Sequence, residues 1–191
     1  MAVDIPIVSK DKQVGWSINL ERCVGCRACE GGCKNENKVV VGVRWRRVIT
    51  RETGEYPSPV KYYVTSSCNH CAQPACLKSC PVDAITKRAK DGIVIIDQDK
   101  CIGCRRCEWA CPYGAPQYNA ETKKVEKCHY CFHRIDQGLK PACAMTCMGL
   151  ALESGNLSEM EKKYPPALKE IPGFNPAFTD PSARFIPAKK M

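Results

Sequence analysis

The chain has 191 residues, 44% hydrophobic and 26% charged, an ordinary balance for one large or two small globular domains. Its longest apolar runs, at 39–43 and 93–96, fall far short of the roughly 20 residues of a membrane-crossing helix and exclude such a span. A formal charge of +9 invites a nucleic-acid partner, an inference that the cysteines, sixteen in number, go on to undo.

In chain order, residues 15–20 alternate with Trp16, Ile18 and Leu20 on one side, which predicts a strand feeding the first cysteine run with Trp16 in the core. That run, CVGCRACEGGC, spaces Cys23, Cys26, Cys29 and Cys33 as Cys-x2-Cys-x2-Cys-x3-Cys. Three thiolates at such intervals let one tight loop wrap three irons of a [4Fe-4S] cube, while a fourth departs. Gly25 removes the Cβ that would hold backbone N–H groups away from sulfur. Lys34 stands where such runs carry proline, which alters the exit path and not the ligand count.

Residues 34–67 hold no cysteine and read as a β-containing insertion, with strand-like alternation in VGVRWRRVI and VKYYV about a turn-rich RETGEYPSP. Arg44, Trp45, Arg46 and Arg47 are open to two readings, a contact surface for a partner or a solvated strand face. The second quartet, CNHCAQPACLKSCP, opens the middle gap but keeps four ligands: Cys68, Cys71, Cys76 and Cys80. A short strand, a Lys-Asp-Gly turn at 90–92 and a strand at 93–97 then lead to CIGCRRCEWACP, with Cys101, Cys104, Cys107 and Cys111 at the first run's spacing and Gly103 in the place of Gly25. The fourth quartet, Cys128, Cys131, Cys143 and Cys147, has a longer central gap and ends on Met148. After Leu152 the composition shifts. Six of the fourteen prolines lie between Pro165 and Pro187 with Phe174, Phe178 and Phe185 among them. Residues 156–191 are therefore expected to lack helix and strand, and to be disordered or laid as an extended arm over this chain or a partner.

Spacing also weighs the rival chemistries. Eight disulfides are excluded because cysteines three residues apart rarely meet the bridging geometry. Zinc knuckles use two Cys-x2-Cys pairs and have no use for a third and fourth cysteine at these intervals. His70, His129 and His133 fall in or beside the ligand loops, but each quartet already supplies four thiolates, so hydrogen bonding or packing is expected of them. Each oxidised cluster with its thiolates adds about −2, so four bring the chain close to neutrality. Arg22, Arg27, Lys34, Lys78, Arg105, Arg106 and Lys127 then read as compensation for cluster charge and not as a phosphate-binding face. A radical enzyme would carry Cys-x3-Cys-x2-Cys with an open iron, and that run is absent.

Residues 68–112 resemble a two-cluster bacterial ferredoxin, in which the last cysteine of each run ligates the other cluster. The resemblance implies one cluster on Cys68, Cys71, Cys76 and Cys111 and another on Cys101, Cys104, Cys107 and Cys80. The first and fourth quartets are then left to each other, giving Cys23, Cys26, Cys29 and Cys147 for a third cluster and Cys128, Cys131, Cys143 and Cys33 for a fourth. The expected fold is α+β: two nested ferredoxin-like modules, the outer at 15–33 plus 113–155 and the inner at 68–112, with the insertion at 34–67 and the tail at 156–191.

The order of quartets, with CIGCRRCEWACPYGAPQYN, KCHYCFHRIDQGLKPACAMTC and the insertion GVRWRRV, resembles the four-cluster electron-transfer subunit of DMSO-reductase-type molybdopterin oxidoreductases over about residues 15–155. The resemblance implies a non-catalytic subunit that relays single electrons through four [4Fe-4S] clusters in anaerobic respiration. It also implies a molybdopterin-containing catalytic partner, a membrane anchor subunit on the quinone side, and no nucleic acid. The N-terminal MAVDIPIVSKDKQVGW has neither a basic start before an apolar core nor a twin arginine. The implied location is the periplasmic face of the cytoplasmic membrane, by export on the partner's Tat signal, with the cytoplasm as the alternative. A ferredoxin-like subunit of a formate dehydrogenase or hydrogenase complex is the second reading.

Overall fold

The computed structural model of the chain describes residues 5–6, 8–9, 11–165, 167–175 and 178–188. Those parts of the tail and N-terminal readings that rest on Pro166, Pro176 and residues 1–4 lie outside them. Strand β1 (Val14–Asn19) is the middle of a three-stranded sheet, antiparallel to β8 (Leu152–Asn156) on one side and parallel to β9 (Ala183–Ile186) on the other. The expected face of Trp16 and Ile18 is buried, and so are Gly15 and Ser17 on the opposite face. A Cβ on Gly15 would stand 2.4 Å from the Ser182 carbonyl oxygen, so the small residue is what lets the C-terminal arm approach.

After the first cysteine loop comes α1 (Ala28–Asn37), followed by the hairpin β2 (Arg46–Thr53) and β3 (Val60–Ser67). Then α2 (Ala75–Lys78) precedes the small hairpin β4 (Ile85–Lys87) and β5 (Val94–Ile96), the strand, turn and strand expected there. Beyond α3 (Arg106–Ala110) lies a similar hairpin not anticipated from sequence, β6 (Gln117–Asn119) and β7 (Lys124–Glu126), and then the short turns α4 (Phe132–Ile135) and α5 (Ala142–Met145).

The cysteine loops repeat in pairs. Gly25 and Gly103 both have φ of 71°, and Arg27 and Arg105 after them have φ of 60° and 63°, each heading α1 or α3. Pro74 and Pro141 stand at the N-caps of α2 and α5, where a missing N–H costs nothing. α1 packs on α5 and α2 on α3. Apolar side chains form a larger core around Trp16, Ile18, Tyr62, Val64, Tyr130 and Phe185, and a smaller one of Leu77, Ile85, Val94 and Val125.

Two expectations change. The segment after residue 155 is not without regular structure: α6 (Leu157–Lys163) buries Leu157 and Met160, and β9 joins the central sheet. The helix is capped by Asn156, whose side chain accepts from the N–H groups of Ser158 and Glu159. That signal is legible in NLSEMEKK, whereas β9 owes its existence to a partner strand far away in sequence. Residues 178–188 do run over this chain, Ala72 and Gln73 donating to Asp180 and Thr179. Phe185 and Phe174 pack inward, and Phe178 is exposed.

The basic strand stretch is also not a free face. Arg46 is 3% exposed, Arg47 donates to the Tyr113 carbonyl at 2.6 Å, Trp45 packs edge-on to His129, and Arg44 pairs with Glu30 at 2.6 Å. β-Strand alternation turns Arg46 inward toward the cysteine loops.

Tyr130 closes the sheet from inside: its hydroxyl donates to the Gly15 carbonyl and accepts from the Gly155 N–H at 3.2 Å, between two residues paired in register. Tyr130→Phe leaves these buried groups unmet and is expected to cost about 1–3 kcal/mol. An anaerobic melting curve should show it as a fall of about 2–4 °C per kcal/mol, and an unchanged curve would remove this hydroxyl from the fold's essential contacts.

Candidate metal centre

The sixteen thiols gather around separate volumes, and none is in a disulfide. Cys23, Cys26, Cys29 and Cys147 line one cavity with about 360 Å³ of atom-free space. Cys68, Cys71, Cys76 and Cys111 line a second of about 360 Å³, and Cys80, Cys101, Cys104 and Cys107 a third of about 300 Å³. The remaining four, Cys33, Cys128, Cys131 and Cys143, face one another. Asn37 Nδ2 lies 3.8 Å from both Cys33 Sγ and Cys131 Sγ, and Cys128 feels the charge of Cys33 and Cys143. Among the described residues no three His, Cys, Asp or Glu side chains converge to hold a single ion; the thiols ring open space instead.

Sulfur in these cavities ionises only in the company of positive charge. Burial pushes the Cys33 thiol up to about 12, its neighbours Cys143 and Cys131 adding to the effect. Burial likewise takes Cys71 to about 12 and Cys107 to about 11, and carries Cys128 well above the ordinary thiol range. Left to themselves these sulfurs stay protonated at neutral pH, and thiolates form where positive charge sits among them. Three nearly equal cavities with four thiols each, together with that requirement, fit an iron–sulfur cluster.

Of the seven cations that flank the quartets in sequence, only Lys127 is buried. Among the described residues the cations enclosed near sulfur are Arg46, Lys87 and Lys127. Lys127 donates to the carbonyls of Val94 and Cys128. Lys87 donates to the Cys71 carbonyl at 2.8 Å and to Gln13 Oε1 at 3.0 Å, and burial lowers it to about 8. Burial works against the Arg46 cation too, but the sulfurs of Cys143, Cys128, Cys29 and Cys33 prevail and hold it above its ordinary value. The sequence signal for Arg46 and Lys87 is only an inward register position on a strand, which their residue type disguises.

None of the three histidines lines the three thiol cavities. His70, wholly buried, accepts from the Val94 N–H at Nδ1 (3.0 Å), which leaves its proton on Nε2, 4.0 Å from Cys128 Sγ. It thereby joins the loop of the second cavity to the fourth thiol set. His133 pairs with Glu36 at 2.9 Å, and His129 packs between Trp45 and Phe132. An open cleft between the β2–β3 hairpin and residues 170–175 contains no cysteine and shares Pro112 and Tyr113 with the wall of the second cavity.

The sequence profile of a 4Fe-4S dicluster domain matches residues 60–157. The B chain of the anaerobic dimethyl sulfoxide reductase of Escherichia coli (strain K12) is 40% identical over 178 residues, covering 89% of this chain and 86% of the relative. The B subunit of the sulfite dehydrogenase of Allochromatium vinosum is 34% identical, with 93% of this chain and 84% of the relative covered. The B subunit of the selenate reductase of Mesobacillus selenatarsenatis is 37% identical, with 75% and 60% covered.

Proposed function

The protein belongs to the 4Fe-4S dicluster family that includes the B chains of dimethyl sulfoxide reductases, and from that premise we propose that its four thiol sets hold four [4Fe-4S] clusters forming one conducting path. It is an iron–sulfur, electron-transfer subunit of an oxidoreductase complex and not the catalytic one, as its relatives among the B components of such complexes indicate. The observation that carries the four-cluster reading is the company each thiol keeps. Cys147 stands with Cys23, Cys26 and Cys29, and Cys111 with Cys68, Cys71 and Cys76, so that each run lends its last cysteine to another set. Cys80 does the same for Cys101, Cys104 and Cys107. Cys33, Cys128, Cys131 and Cys143 make the fourth ligand set. Packing of α1 on α5 and of α2 on α3 supports two nested ferredoxin-like modules, 15–33 with 113–155 enclosing 68–112.

A bound [4Fe-4S] cluster supplies reversible one-electron chemistry. The chain's residues fix where it happens. α1 carries Cys29 and Cys33 into neighbouring sets, His70 joins that of Cys128 to that of Cys68 and Cys71, and α2 carries Cys76 on toward Cys80. The implied order runs from the cavity of Cys26 to that of Cys104. These are the two exposed cysteines of the sixteen, which suits entry and exit. Apolar side chains flank both mouths, Val24 beside Cys26 and Ile102 beside Cys104, each more than half exposed. Such rims exclude water and suit docking of partner subunits. The partners we assign are a molybdopterin-containing catalytic subunit and a membrane anchor; no helix among the described residues is long and apolar enough to cross a membrane. The periplasmic face, reached on the catalytic partner's export signal, is the location we assign, the cytoplasm being the alternative.

Protein purified without oxygen is expected to be brown and to carry about sixteen irons per chain, four for each cubane; zinc at one per site would overturn the reading. Cys104→Ser should damage one cluster and leave three, checked by iron content and EPR. Cys33→Ser should disturb the cluster held by Cys128, Cys131 and Cys143, and loss of the one held by Cys26 instead would disprove the nested pairing. Gly103→Ala, whose Cβ would stand 2.1 Å from the Lys123 carbonyl oxygen at a φ of +71°, should impair loading of the Cys104 cavity in the same assays.

A further inference from the structure

Arg46 lies where the two outer thiol sets meet, and its surroundings differ from those of an ordinary buried arginine. It is 3% exposed and sits 4.3 Å over the ring of Trp16. One Nη donates to Thr65 Oγ1 at 3.0 Å, the other to Ser67 Oγ at 2.9 Å, and Nε is buried without a hydrogen-bond partner. Among the described residues the charges that bear most on it are sulfurs, those of Cys143, Cys128, Cys29 and Cys33, and no carboxylate is among them. Guanidinium stays protonated in proteins, and burying it without a counter-charge is costly. The two outer sites share this cation, since Cys29, which lines one, lies against Thr65, and Cys143 of the second takes a side-chain hydrogen bond from Arg46 itself.

Thr65 extends this contact. Its Oγ1 also lies 3.5 Å from Cys29 Sγ. Because a guanidinium only donates, Thr65 accepts from Arg46, and its own O–H is left to donate to the Cys29 sulfur.

We propose that Arg46 is a positioning residue for electron transfer: one buried cation, shared by the two outer sites, that raises the reduction potential of both, acting on the Cys29 site in part through the Thr65 hydroxyl. The inference rests on the four-cluster reading above. Taking up an electron adds a negative charge to a site, and a fixed cation in a medium of low dielectric stabilises that charge more than it stabilises the oxidised form. Hydrogen bonds to cluster sulfur act in the same direction. The neighbouring Arg47, bound to a carbonyl on the other side of the strand, has no such role.

The test is an EPR-monitored potentiometric titration of the full chain, reduced stepwise with dithionite, with iron counted on the same samples and the outer signals identified by Cys26→Ser and Cys33→Ser. Arg46→Met, fully loaded, is expected to lower both outer potentials by at least a tenfold change in the oxidised-to-reduced ratio, 59 mV for one electron, with the inner pair moving less. Arg46→Lys should restore most of the shift. Thr65→Val, which leaves the cation in place, should lower only the potential of the Cys29 site. Loaded Arg46→Met with unmoved outer potentials, or with all four moved equally, overturns the proposal. Where Arg46→Met does not load iron, Thr65→Val decides, and no selective fall there overturns it. Wild-type protein short of its irons would instead overturn the cluster reading itself.

Discussion

The fold is governed by the need to bury sulfur and positive charge together. A thiolate taken out of water is unstable unless a cation accompanies it, and a buried lysine or arginine is unstable unless an anion does. This chain encloses both. Arg46, Lys87 and Lys127 are buried beside the cysteine loops with carbonyls and hydroxyls among their direct hydrogen-bond partners; sulfurs are the charges that bear most on Arg46, and Asp180 and Asp91 join the sulfurs of Cys71 and Cys68 around Lys87. Neither group would be tolerable alone. The proposed clusters thus make the interior electrically consistent as well as conductive, and the hydrophobic cores fill the space around them.

Local backbone geometry solves the problem of wrapping a loop around each site, and solves it twice in the same way. Glycine and then arginine in the left-handed region turn the chain at Gly25–Arg27 and again at Gly103–Arg105, each pair heading a helix that carries the third cysteine of its run. Prolines at the N-caps of α2 and α5 do the corresponding work in the other two runs. Repetition of this kind gives four similar environments from short sequence segments. Their differences come from what packs outside: a Thr65 hydroxyl at Cys29, a His70 ring at Cys128, a Lys87 ammonium at the Cys71 carbonyl.

Long-range contacts then hold the repeats in one body. β1 receives β8 on one edge and β9 on the other, and Tyr130, from the fourth cysteine run, places its hydroxyl between β1 and β8. The arm that ends in β9 passes over the second cavity, where Thr179 forms part of the wall and bonds the Tyr113 hydroxyl. The C-terminal segment is therefore structural for the inner module although it lies farthest from it in sequence.

By itself the sequence determined whatever depends on neighbours along the chain: four quartets with their spacing, glycines at the tight turns, the strand of Trp16, the strand, turn and strand before Cys101, and the β-containing character of residues 34–67. Cysteine spacing is a local constraint, so sixteen thiols in four quartets at iron–sulfur ligand intervals are legible in the order of residues alone. Tertiary structure decided what depends on segments meeting from afar. It turned Arg46 from a strand-face residue into a buried cation, fixed the proton of His70, a loop residue, through a backbone N–H on β5, and made a strand of residues 183–186 by giving them a partner. The company of Cys147 with Cys23 and of Cys33 with Cys128, which the ferredoxin resemblance implies and no spacing dictates, is likewise a matter of distant segments meeting. The reason is physical: a side chain's charge cost, tautomer and neighbours are properties of the volume it occupies, and that volume is assembled from residues that no window along the sequence contains.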